Sequence, residues 1–61
     1  MVLPKLKEKM EEVGLSPEAL AAKSKNFSNM TVRRAINGRG IDRLKAVAIA
    51  RAMGVKLEEL V

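Results

Sequence analysis

Leu3, Leu6, Met10 and Val13 recur at steps of three, four and three, a spacing that puts side chains on one face of a helix. Charged residues fill the gaps. Pro4 is tolerated in a first turn, where its missing N–H has no partner to lose. Gly14 supplies a stop, because it takes a positive φ without a Cβ clash. The first predicted helix therefore covers residues 4–13. Ser16-Pro17 is the next start signal, a hydroxyl N-cap followed by proline at the first helical position. Leu15 and Leu20 flank it at hydrophobic-staple spacing, and the second helix is predicted over 17–24. Its Ala19, Ala21 and Ala22 either admit another helix at close range or serve only as helix formers.

Lys25-Asn26-Phe27 breaks the period. Asn26 is the residue of this corner best suited to a left-handed backbone. Ser28 then caps a third helix, 29–37, and Phe27 and Val32 repeat the staple spacing. Phe27, the only aromatic residue, is expected to anchor the corner in the core. With Val32 at zero and about 100° per residue, Ala35 and Ile36 fall within about 60° of it. Arg33, Asn37, Met30 and Arg34 fall at about 100°, 140°, 160° and 200°, away from the core, and Asn29 lies at the border at about 60°. So short a helix does not stand alone in water, so its apolar side must be held by the others. Asn37-Gly38 ends it.

Ile41, Leu44, Val47, Ile49 and Met53, with alanines between them, put apolar residues at almost every angle. This predicts a helix over 41–53 that is mostly buried, a central strut, stopped by Gly54. A last short helix is predicted over 56–60, with fraying at its start because Lys56 is a poor N-cap. No segment alternates as a strand does, and there is no internal repeat. The expected fold is all-α, one compact domain of five helices over residues 1–61.

Composition removes whole classes of chemistry. The chain has no cysteine and no histidine, and so lacks thiolate ligands, disulfides, and the commonest general base and metal ligand. It has no glycine-rich phosphate loop, since Gly38 and Gly40 alone do not make one. Ser16 and Ser28 are used as caps and have no base beside them. No enzymatic activity, cofactor, metal or small-molecule ligand is expected. No apolar run approaches the roughly 20 residues that span a bilayer, and MVLPKLKEKMEE turns charged at once, unlike a signal peptide. A soluble, cytoplasmic protein with no membrane partner is expected.

Charge is unevenly placed. From Lys23 to Arg51 there are eight cations and one anion, Asp42, a local +7; the rest holds four lysines and six glutamates, a local −2. Positive charge gathered in one segment is the footprint of a polyanion. The projecting third helix fits that partner. Arg33 or Arg34 could bond O6 and N7 of guanine, Asn29 could pair with adenine or bond a phosphate from the helix start, and Met30 could rest on a thymine methyl. Lys25, Arg39 and Arg43 flank the helix and could neutralise phosphates. The partner expected from these residues is double-stranded DNA.

LSPEALAAKSKNFSNMTVRRAING resembles the helix-turn-helix core of the phage repressor and Cro-type (Xre-like) DNA-binding domains, typically LSQEELA, a short turn, then S-R-S-T-I-S-R-I-E-R-G. Ser28, Thr31, Val32, Arg34 and Gly38 fall in step with that second string. IARAMGVKLEEL is similar to the family's closing pattern, so the likeness covers nearly the whole chain. It implies a lambda-repressor-like fold with the third helix in the major groove. By position it implies base-edge contacts from Asn29, Met30, Arg33 and Arg34, and phosphate contacts from Asn37 and Arg39. Ser28 and Thr31 stand between capping and phosphate contact, with capping favoured for Ser28. It also implies a transcriptional regulator, repressor or Cro-like, in a bacterial or phage context.

Three positions depart from the pattern. Pro17 replaces a glutamine that often contacts DNA, the turn is one residue longer and lacks its glycine, and Ala35-Ile36 replaces a large-apolar-then-polar pair. TVRRAING there looks more like the lactose-repressor type of helix. Such domains usually bind as dimers. Leu57, Leu60 and Val61 could supply a small homodimer contact or could simply close the core. Two alternatives use the same fold: a protein-interaction module, antitoxin-like or adaptor, and a designed or repacked domain without function.

Overall fold

The computed structural model describes residues 1–61, with four α-helices and no strand. The helices are α1 (Leu6–Val13), α2 (Pro17–Ala22), α3 (Asn29–Ile36) and α4 (Arg43–Met53). The expected fifth helix is a single 3-10 turn, Leu57–Glu59. Leu60 is drawn inward after it.

Each helix starts and stops for a local reason. Ser16 Oγ accepts from Ala19 N–H at 3.1 Å, and Ser28 Oγ accepts from Thr31 N–H at 3.4 Å, so both hydroxyl caps form as expected. α1 begins two residues later than predicted, because Pro4 and Lys5 form a turn in which Leu6 N–H reaches Leu3 C=O (3.1 Å). Three helices end in the same way. At α1, Gly14 N–H bonds Glu11 C=O and Leu15 N–H bonds Met10 C=O; the same pair of bonds recurs at Gly38–Arg39 and at Gly54–Val55. This is the Schellman closure, and it needs a left-handed residue at its bend. Gly14, Gly38 and Gly54 supply it, at φ 72°, 84° and 72°. A Cβ on Gly54 would meet nothing within 4 Å, so its cost there is conformational and not steric. Gly54→Ala is therefore expected to lower stability by about 1–2 kcal/mol, seen as a drop of several degrees in a thermal melt followed by circular dichroism. An unchanged melt would mean that the bend is not held at positive φ.

The 23–28 corner is built differently from expectation. No residue other than glycine has positive φ, so Asn26 is not left-handed. Its N–H donates instead to Ser24 Oγ at 3.1 Å, a side-chain turn that reverses the backbone without the strained region. α2 also stops at Ala22, and its tail tightens through Lys23 N–H to Leu20 C=O and Ser24 N–H to Ala21 C=O.

One cluster of twelve buried side chains joins all the elements: Leu3, Leu6 and Met10 from the first segment, Leu20 from α2, Phe27 from the corner, Val32 and Ala35 from α3, Ala46, Ile49, Ala50 and Met53 from α4, and Leu60. Both staples close, with Leu20 and Val32 fully buried, Phe27 7% exposed, and Leu15 packed against the cluster. α2 and α3 make the most extensive contact; α1 braces α3, and α4 backs α2 and carries the last turn. Ala19 and Ala22 stay exposed, so the alanines of α2 do not form a close helix seam.

α4 corrects a second expectation. It starts at Arg43, because Ile41 is spent on a two-way backbone pairing with Met1. It buries one face only, Ala46, Ile49, Ala50 and Met53. No element covers the opposite side, and Leu44 there is 84% exposed. Likewise Val13, the last residue of the α1 stripe, lies outside the core. The last turn is tied down more firmly than Lys56 alone would allow. Glu59 Oε2 accepts from Lys56 N–H at 2.8 Å, and its other oxygen lies 3.6 Å from Lys9 Nζ. Leu60 is fully buried and Leu57 packs against the core, leaving Val61 as the exposed one of the three residues offered for a dimer contact. Leu57 and Leu60 close the core.

Candidate nucleic-acid interface

α3 turns Thr31, Val32 and Ala35 inward, with Ile36 half-buried. Asn29, Met30, Arg33, Arg34 and Asn37 are all exposed, Met30 at 55%. The helical-wheel expectation for the apolar and polar sides of α3 is met. Ser28 caps the helix, and the hydroxyls of Ser28 and Thr31 lie 3.5 Å apart. Thr31 is 8% exposed and lines the shallow cleft that also holds Arg34.

The two arginines differ. The Arg33 guanidinium, through Nη2, pairs with the Glu18 carboxylate on α2. Both side chains of that pair are 54% exposed. Arg34 has no carboxylate within ion-pair distance. It lines a shallow cleft with Thr31, Gly40, Ile41, Asp42 and Lys45. The cleft brings Lys45 beside Arg34, a cation that helical periodicity does not single out; the only signal for it in the sequence is its place in the basic segment. Lys25 in the corner and Arg39 just past Gly38 are exposed at either end of α3. Arg43 lines a different depression, with Lys23 and Arg51.

The electrostatics follow from these pairs. The Glu18 carboxyl lies below its ordinary value of 4.5, first because its own backbone N–H bonds it near the start of α2, then because of Arg33. Glu59 is also lowered, by the Lys56 N–H first and then by Lys9, while Lys9 is raised, by Glu12 first. A lowered carboxyl adds stability that is present above its unfolded value and lost as pH falls through its folded value. Thermal stability is therefore expected to hold at neutral pH and to fall below about pH 4.5, with part of that fall removed in Glu59→Gln. A melt that is flat down to about pH 3 would contradict these pairings.

No group of acidic side chains is arranged to hold a metal ion, and no helix is long and apolar enough to cross a membrane. The geometry is that of a short helix held by its neighbours, with a polar, basic ridge turned outward. A family model described as Helix-turn-helix matches residues 6–60, and the chain belongs to that family, the Xre-like helix-turn-helix domains as in phage repressors and Cro. The family is one of DNA-binding regulatory domains. Searches of curated proteins and of solved structures return no match.

Proposed function

We propose that this domain binds double-stranded DNA sequence-specifically, with α3 in the major groove, and acts as a transcriptional regulator of the repressor type. The observation that carries the reading is the ridge of α3, where Asn29, Met30, Arg33, Arg34 and Asn37 are all exposed opposite its buried face. A helix fits the major groove, and arginine and asparagine carry the donors that read guanine and adenine there. Arg34, free of any ion pair, is the principal base reader. Arg33 joins it by exchanging Glu18 for a base edge, an exchange open to it because the pair is solvated. Asn29 and Met30 meet neighbouring bases. Lys25, Arg39, Asn37 and the Ser28 end of the helix hold phosphates, with Arg43 at the margin, and these contacts add affinity without sequence information.

The domain measures 22 × 21 × 19 Å across its Cα atoms. Half-sites of a two-fold operator lie about 34 Å apart. Two copies on such a site meet only through side chains, so pairing on DNA is weak and driven by the duplex. Work on a bacterial or phage operator implies a cytoplasmic setting. The test is selection of bound duplexes from a random pool. Enrichment of a two-fold symmetric motif supports the proposal, and binding to every duplex alike, with no motif, overturns it.

Glu18 gives a sharper check. Its carboxylate stands beside Arg33 on the DNA-facing side. Glu18→Gln is expected to tighten binding to scrambled duplexes and to steepen the salt dependence by about one phosphate's worth of counterion release. Anisotropy at several salt concentrations reads both. Unchanged affinity and slope would place Glu18 away from the DNA.

A further inference from the structure

α4 carries two aliphatic side chains that the core does not use. Leu44 is 84% exposed, and Val47, half-buried, is not among the side chains packed against the buried cluster. Both open onto a groove of about 790 Å³ between the outer face of α4 and the 23–26 corner, together with Ala48. Lys23, Arg43, Lys45 and Arg51 also line it, against one carboxylate, Asp42. None of these four cations lies within ion-pair distance of any carboxylate, Asp42 included. An apolar floor ringed by unpaired cations calls for apolar anchors flanked by acids.

We propose that this groove docks an acidic amphipathic helix of another protein. The helical form follows from the surface it meets. Leu44, Val47, Ala48 and Arg51 stand at i, i+3, i+4 and i+7 along α4, a ridge of the kind that a second helix packs against. The apolar anchors follow from Leu44 and Val47, which gain only from being covered. The acidic flanks follow from the excess of cations, since complementary potential steers and orients such a partner. Duplex DNA is the poorer occupant, because phosphates reward the cations and leave the leucine in water, and no residue of α3 lines this groove. A second copy of the chain is also a poor match. Its acidic helix α1 exposes Glu8, Glu11 and Glu12, but Leu6 and Met10 are spent in its own core, leaving only Val13 to insert. The proposal does not rest on the reading of α3; of the side chains which that reading gives to phosphates, Arg43 alone lines this groove.

The test uses the full chain, isotopically labelled, and a synthetic peptide of about four helical turns, with leucines at i, i+3, i+4 and i+7 and glutamates elsewhere. Saturable amide shifts confined to the outer face of α4 and to residues 23–26 are expected. Leu44→Glu and Arg51→Glu are each expected to weaken binding about tenfold or more, with an unchanged melting temperature for Leu44→Glu, whose side chain is exposed, and a small drop for Arg51→Glu, which reverses a charge in the last turn of α4. A control peptide with lysine in place of glutamate is expected to leave the spectrum unchanged. The proposal is overturned by absent or scattered shifts, by shifts centred on α3, or by equal binding of the lysine peptide. Concentration-dependent shifts of the α4 face without peptide would give the groove to a second copy, and scrambled duplex shifting the amides of Leu44, Val47 and Ala48, away from Lys25 and Arg43, would give it to phosphates; either result overturns it.

Discussion

Replacing Ile49 with alanine is expected to leave most of the domain unfolded at physiological temperature. Ile49 is fully buried on the inner face of α4, in the one cluster that joins every element. Deleting three buried carbons from such a site costs about 2–5 kcal/mol, through lost transfer free energy and the cavity left behind. A chain of 61 residues has little to spare, since small domains are worth roughly 0.05–0.15 kcal/mol per residue in all. The loss is therefore comparable with the whole stability, and neighbouring alanines such as Ala46 and Ala50 are too small to close the gap. Far-ultraviolet circular dichroism is the probe, because the chain has no tryptophan or tyrosine. Leu44→Ala, five positions earlier on the same helix but 84% exposed, is the matched control and is expected to leave the melt nearly unchanged. If the two variants melted alike, α4 would not be oriented as described.

The second large effect is on DNA. Arg34→Ala is expected to weaken binding to the selected duplex by about tenfold to a hundredfold, and to relax preference at one base pair. Arg33→Ala is expected to cost less, because the wild-type side chain must first leave Glu18. A double-mutant cycle with Glu18→Ala separates the two contributions: coupling is expected for Arg33 and none for Arg34. The ratio of affinities for selected and scrambled duplexes is the diagnostic quantity. If both affinities fall together, these arginines hold phosphates, and base reading must be sought elsewhere on the ridge.

What was legible in the sequence was what local chemistry determines. Ser16 and Ser28 before their helices, glycine after three of them, and the spacing of Val32, Ala35 and Ile36 gave caps, stops and the outward side of α3, and all of these are found. What was not legible depended on partners distant in the chain. Nothing near Arg33 announces that Glu18 will hold it. Asn26 looked like the bend of the corner, but Ser24 offered its amide a bond that needs no strained backbone. Apolar residues around α4 suggested burial on every side. A domain of this size has only enough elements to cover one face, so Leu44 was left out.

The amide of Lys5 ends on the carbonyl of Leu60 at 3.0 Å, a bond between opposite ends of the chain. Its hydrogen can exchange with solvent deuterium only when the contact between these closing ends opens. The rate at that single site therefore reads the opening equilibrium of the closing segment, without any label or mutation. Exchange faster there than in the middle of α4 would identify the closing segment as a separately opening unit, and equal rates would mean that the domain opens all at once.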